Sequence, residues 1–437
     1  MPGETRRDPA GFAHLWDFPL LAALLGRRSR RFGLGMTIPD GPLAFASRQD
    51  PLPLSDLERS LLILAGSGVM GWHFGIEHTA AGRPDTLCNY PLRFTGRPHP
   101  SAAGIETSAA GIETAELIVT DDSGTFITQF RQRPGEEGLS LGETLSPEQL
   151  VDWVQGRLVQ IAEGRVDLPM AMPHVSPHNY WNANKPGTTL FIPIVDLTQQ
   201  LLDFLAIYLG SGFAPYDPVH GRYCGDLDRF ARLGLVDLDR KFSILDFEQY
   251  VLATGAIEIG VMCHNMVLML QAMGLGGWMY TGINPPSLLG AFASEGIPGL
   301  GFRFIQPPAG PPIPVGRDGV FEALCPPYVP DMRTAVAKFV EMKFGRGGAY
   351  DPSEPGPYQD NRAVKSRVDR YTPEFVEFLQ EVAQYLYDTY GRFPASIPSV
   401  YVRIYAQAQH IDLEFYDRFY GAGSYLETHR RHMEQWH

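Results

Sequence analysis

Residues 258–283 read EIGVMCHNMVLMLQAMGLGGWMYTGI, and no Asp, Glu, Lys or Arg occurs between Glu258 and Glu295. The apolar run from Ile259 to Met273 carries His264, Asn265 and Gln271, then meets Gly274, Gly276 and Gly277, with Pro285-Pro286 beyond. It falls short of the roughly twenty continuous apolar residues of a membrane-spanning helix. Apolar side chains occupy every face of Ile259 to Met273, as in a helix enclosed on all sides or placed at a subunit interface. The expectation is a buried central helix.

The rest of the chain limits what can surround it. With 437 residues there is room for about two or three domains, or one large domain with an elaborate tail. Charged residues make up 19%, below the usual figure of about 25%, and 46 glycines with 37 prolines imply many turns between modest elements, which excludes a helical bundle. The charge sum of 36 − 49 = −13 leaves no overall basic surface for nucleic acid, so an anion must meet a local cluster. Cys88, Cys224, Cys263 and Cys325 lie far apart without zinc or redox spacing, which suits a reducing, cytoplasmic setting. Residues 1–12 lack the apolar core of a signal peptide.

Outward from the central run, Phe12–Leu25 has the pattern of an amphipathic helix stopping at Gly26. A second helix starts near Ser55 or Asp56, its candidate N-caps, and runs to Gly66 and Gly68. GWHFGIE, residues 71–77, reads as a strand. Residues 115–131 carry β-branched and apolar runs on both sides of Asp121-Asp122-Ser123-Gly124, a hairpin signal, and residues 188–197 read as a buried strand. SAAGIET occurs twice in tandem, at 101–107 and 108–114, and the second copy reads as added loop length. Pro307–Pro314, with five prolines in eight residues, reads as a stiff linker separating a core from a C-terminal accessory tail with helices near 331–343 and 373–390. On the second of these, Phe375, Phe378, Val382 and Tyr385 share one buried face.

Arg27, Arg28, Arg30 and Arg31 surround Ser29 just after the first helix. Guanidinium forks bind oxyanions bidentately, which suits a phosphate; the same residues could instead complement the negative end of the helix dipole. His174 and His178 have zinc-helix spacing, but Pro173 and Pro177 oppose a helix there. His429, His432 and His437 have no ligand spacing, and no metal site is expected. Cys224 has Arg222 nearby but no His partner close in sequence. No nucleotide-binding glycine motif is present.

In order and spacing the chain resembles the nitroreductase-like, FMN-dependent superfamily. Arg27, Arg28, Ser29, Arg31 and Phe32 match its R-[RH]-S-x-[RK]-x-F element, and Trp72 and Phe74 match its Trp-x-Phe strand. Arg97, Pro100 and Ser101 resemble an R-x-x-P-S element of the SagB-type oxidase/dehydrogenase branch. Residues 263–283 resemble the family's central helix and the turn whose backbone faces flavin N5. The resemblance covers roughly Phe12 to Ile305, with unmatched stretches at 132–187 and 199–243, and implies an α+β fold with a nitroreductase-like core at 12–306, a linker at 307–314 and a helical extension at 315–437.

By that resemblance Arg27, Arg28, Ser29 and Arg31 hold the FMN phosphate, Ser101 and Asn265 contribute further contacts, and Thr281 and Gly282 form the turn near N5. It implies an oxidoreductase acting on a small organic or peptide-derived substrate, with no catalytic triad, since the flavin carries the chemistry. It also implies a homodimer, with Met262, Met266 and Met269 facing the second copy or a domain packed on the helix. Gly68, Met70, Met279 and Thr281 replace groups usual in the family, which motivates the alternative of a flavin-fold scaffold without turnover.

Overall fold

The structure is a computed structural model that describes residues 9–77, 90–100, 111–131 and 146–437. Its centre is the expected hairpin: β1, Ala115–Asp121, and β2, Gly124–Thr128, pair antiparallel with Asp121 opposite Gly124. The Asp121 carboxylate accepts hydrogen bonds from the Ser123 amide at 2.9 Å and hydroxyl at 2.6 Å, which fixes the turn. β3, Leu158–Ala162, flanks β2, and β4, Thr189–Asp196, flanks β1. Every residue of β1 and β4 is buried, so their unbroken apolar runs reflect cover on both faces.

Among the described residues the sheet has seven strands and is completed by β5, Gly276–Tyr280, followed by two strands from the C-terminal region. β6, Arg303–Ile305, and β7, Ile313–Arg317, form a separate sheet, whereas β8, Val400–Tyr401, and β9, Tyr405–Gln409, both pair with β4. β9 lies between β4 and β5, so the order is β5-β9-β4-β1-β2-β3, antiparallel at every pair.

Around the sheet lie α1, Ala10–Leu15; α2, Leu20–Gly26; α3, Asp56–Ser67; α4, Pro147–Gln155; α5, Leu197–Gly210; α6, Ile244–Met273; α7, Met332–Phe344; α8, Pro373–Tyr390; and α9, His432–Trp436. Of the two N-cap candidates it is Ser55 that caps α3, and a capping box with Glu58 completes the cap. α6 is twice as long as the apolar run that announces it, because Ile244–Glu258 continues the same helix. It is long and apolar enough to cross a membrane by length and composition alone. In this fold Met262 and Met266 are buried within the chain itself, and the Cβ position of Gly66 on α3 lies 3.0 Å from Met266 Cγ.

Several expectations need correction. Phe12–Leu25 is two helices, broken at Pro19. GWHFGIE forms no strand; Trp72 makes a single bridge to Thr95 and Phe74 is exposed. Pro307–Pro314 joins two antiparallel strands, β6 and β7, so it is the loop of a hairpin and no domain linker. The segment after it is part of the core: β9 fills the sheet, Glu248 on α6 accepts from the Ala395 and Ser396 amides at 2.6 Å, and Lys343 on α7 meets Asp203 on α5 at 2.6 Å with both side chains fully buried. Of the stretches unmatched by the resemblance, residues 146–187 supply edge strand β3 and 199–243 contain most of buried α5. On the α8 face Phe375, Phe378 and Val382 are buried as expected, whereas Tyr385 is half-buried and donates its hydroxyl to Asp217 at 2.9 Å. Of the tandem SAAGIET, residues 101–110 lie outside the described residues; Ile112, Glu113 and Thr114 are buried and lead into β1.

Candidate functional site

The arginine segment leaves α2 and divides into two kinds of side chain. Arg28 Nη1 donates to the carbonyls of Leu25 at 3.0 Å and Arg27 at 2.8 Å, so this residue caps the helix end. Arg30 is buried; Nε donates to Ser424 O at 2.9 Å, Nη1 to Gln271 Oε1 at 2.6 Å and Nη2 to Gly26 O at 3.1 Å. Burial lowers its guanidinium to about 10. Arg27, Ser29 and Arg31 are exposed, and among the described residues their side chains make no hydrogen bond or ion pair; the Arg31 guanidinium lies 5.9 Å from the Trp181 ring centre.

The same segment abuts one end of β5, where Arg30 bridges Gly277. A side chain at Gly276 would meet Ile411 Cγ2 at 2.2 Å and Arg30 O at 2.9 Å, so glycine is required for that approach. The other end of β5 runs into Thr281, which is exposed, and Gly282. From Gly277 to Thr281 is four residues, roughly 14 Å of strand. Gly282 O accepts from Ser176 N at 2.8 Å, and a Cβ at Gly282 would fall 2.0 Å from Asn179 Nδ2. Asn179 Nδ2, both amide atoms of Asn182 and the Tyr280 hydroxyl are buried with no hydrogen-bond partner. Unpaired buried donors are costly unless a ligand or water meets them.

Asn265 lies on α6 away from this turn and donates from Nδ2 to Pro98 O at 2.7 Å, holding the Arg97–Pro100 segment to the helix. Arg97 itself donates to Ser67 Oγ at 3.0 Å and covers the Phe130 ring at 5.3 Å. Ser101 lies outside the described residues. Two turns before Asn265, Glu258 approaches His99 at 3.7 Å, both side chains fully buried. Burial pulls the His99 imidazole down to about 3 and, with Glu113 nearby, pushes the Glu258 carboxyl up to about 8. At neutral pH the pair is a neutral imidazole beside a mostly protonated carboxyl that accepts from Ala115 N at 3.1 Å and Gln200 Nε2 at 2.7 Å.

Other candidates separate. His178 is exposed, while His174 is buried and bonds Ser287 Oγ at 2.9 Å, so the pair converges on nothing. Cys224, Cys263 and Cys325 are free and buried; burial raises the Cys224 thiol far above its ordinary value, the reverse of a nucleophile, and Cys88 lies outside the described residues. Arg30 was read only as one of four arginines, and nothing in its spacing announces that it alone turns inward. A further group was missed: His432 and His437, which show no ligand spacing in sequence, converge with His410 and Glu58. The only local signal near it is the N-cap candidate Ser55, which marks a helix start and says nothing of Glu58 or of the distant histidines.

No family model and no curated protein matches the chain. Among solved structures, one described as a "putative nitroreductase" from Ralstonia eutropha JMP134 aligns at 13% identity over 65% of this chain and 76% of that chain, with a TM-score of 0.28. The reading of the site rests on this chain's own residues.

Proposed function

We propose that this chain is an FMN-dependent oxidoreductase with a nitroreductase-like core, related to the SagB-type branch, acting on a small organic or peptide-derived substrate in a reducing cytoplasm. The observation that carries the reading is the content of the two ends of β5. One end abuts a bend with two uncommitted guanidiniums and a hydroxyl, and the other enters a glycine turn faced by an unpaired buried amide. These residue types suit the phosphate and the polar ring edge of one extended, anionic heterocycle.

In this reading Arg27, Ser29 and Arg31 bind the phosphate, and Arg28 and Arg30 hold the bend in place from behind. The Gly282 backbone and Asn179 amide orient the ring edge, while Trp278 and Tyr280, stacked at 5.0 Å, support the strand between. Asn265 acts through the Pro98 segment that it holds. FMN, once bound, supplies the electron transfer itself.

The homodimer remains part of the proposal. Met262 and Met266 pack within their own chain, the second of the two placements the sequence suggests, and Met269 is half-buried, whereas Leu20, Leu21, Leu24 and Leu25 on α2 are 45–68% exposed and Ile257 on α6 is 45% exposed. An apolar face of this kind suits a second copy.

Titration of flavin-free protein with FMN, followed by quenching of flavin fluorescence, tests the site. Arg27→Ala and Arg31→Ala should each weaken binding by about 1.5–3 kcal/mol, the worth of charge-assisted hydrogen bonds. Arg28→Ala should change it little. Equal affinities in all three variants would return the whole segment to helix capping.

A further inference from the structure

We propose that Glu58, His410, His432 and His437 form a four-ligand site for a divalent transition metal of the zinc class, independent of the flavin reading. The donors come from the first turn of α3, the residue after β9, the start of α9 and the residue following α9. Glu58 Oε1 lies 2.9 Å from His432 Nε2, 3.4 Å from His410 Nε2 and 3.6 Å from His437 Nε2, and the last two nitrogens are 3.1 Å apart. All four donor atoms fall within 4.8 Å of one another. A tetrahedral zinc with bonds of about 2.0–2.1 Å separates its ligand atoms by about 3.3–3.4 Å, and the four distances bracket that value.

The imidazoles are set for metal rather than for hydrogen bonding to the carboxylate. His410 Nδ1 lies 2.9 Å from Leu52 O and His432 Nδ1 lies 2.8 Å from Met273 O. A carbonyl can only accept, so both protons sit on Nδ1 in the neutral rings and both Nε2 lone pairs face the cluster. Glu58 Oε2 is held by the Ser55 amide at 2.7 Å and hydroxyl at 2.8 Å, which leaves Oε1 to the cluster. Despite their 2.9 Å separation, Glu58 Oε1 and His432 Nε2 make no hydrogen bond and are buried without a partner. An acceptor facing an acceptor is costly unless a cation stands between them.

Imidazole and carboxylate ligands without thiolate suit zinc and its neighbours. Four protein donors leave no open position, so the site is structural; the Glu58, His410 and His432 side chains are at most 4% exposed and His437 is 27% exposed. It would clasp α9 to α3 and to the end of β9, closing loops of several hundred residues.

The test uses the full chain purified without a histidine tag. Its metal content is measured by mass spectrometry, and chelator-treated protein is then titrated with Co2+ and Zn2+. The expected result is about one zinc per chain, and a Co2+ complex with the strong visible d–d bands of tetrahedral coordination that Zn2+ displaces. Glu58→Gln, which keeps the Ser55 contacts, and His432→Ala should each weaken Co2+ binding at least tenfold, while exposed His178→Ala should not. Should the variants fail to fold, the wild-type titration decides alone. Absence of stoichiometric Co2+ and Zn2+ binding, an octahedral Co2+ spectrum, or wild-type affinity in both ligand variants would overturn the proposal.

Discussion

Arg30 and Glu258 show how burial assigns roles that residue type leaves open. Four arginines share five positions, yet the one enclosed by Ser424, Gln271 and Gly26 is committed to structure, Arg28 caps the helix end, and only Arg27 and Arg31 keep uncommitted guanidiniums. Glu258 carries a testable consequence. Its carboxyl is raised from an ordinary 4.5 to about 8 by burial and by Glu113. The folded chain therefore retains a proton that the unfolded chain loses first. This group's stabilisation is full below pH 4.5 and declines by about 1.4 kcal/mol per pH unit as pH rises toward 8, then levels. Glu258→Gln keeps a neutral side chain, and Gln200 Oε1, buried without a partner, can accept from its amide. Thermal melts from pH 5 to 8 should show the variant gaining steadily on the wild type; a constant difference would mean that Glu258 is ionised throughout.

At the scale of elements, α6 was legible as a helix and as buried, because fifteen residues without a charge admit little else. Its first half was not, since Asp246, Glu248 and Glu258 break the apolar run; Asp246 is exposed, while Glu248 and Glu258 are buried against partners such as the Ala395 and Ser396 amides and Gln200. The hairpin β1–β2 and strand β4 were legible from their β-branched runs. β9 was not: Tyr405-Ala-Gln-Ala-Gln has no apolar run, and its glutamines are buried because Gln407 donates to Asn182 O at 2.9 Å and Gln409 to Arg30 O at 3.0 Å. α2 supplies the prediction here. Leu21→Asp together with Leu25→Asp alters exposed positions, so the melting temperature should stay nearly constant while light scattering reports a shift from dimer to monomer. A monomeric wild type at micromolar concentration would contradict the proposed interface, as would a doubly substituted protein that stays dimeric.

Over the whole molecule, the chain returns to its own beginning. Its C-terminal region fills the sheet between β4 and β5, reaches back to Arg30 and brings three histidines beside Glu58. Sequence reading detached this region at the prolines because a proline-rich stretch looks alike as hairpin loop and as domain linker; only strand pairing separates the two. The α+β class was legible; the arginine segment was singled out by its residue types, and the Thr281-Gly282 segment only by the family resemblance. Their placement at opposite ends of one strand, and the unpaired Asn179 amide beside Gly282, depend on contacts between distant residues and had no local signal. The claim that joins these parts is a bound FMN, and the absorption spectrum of the protein as purified addresses it most directly, with the released cofactor identified by chromatography. The account predicts a yellow protein that releases about one FMN per chain on denaturation. A colourless protein that also fails to take up added FMN at micromolar concentration would contradict it.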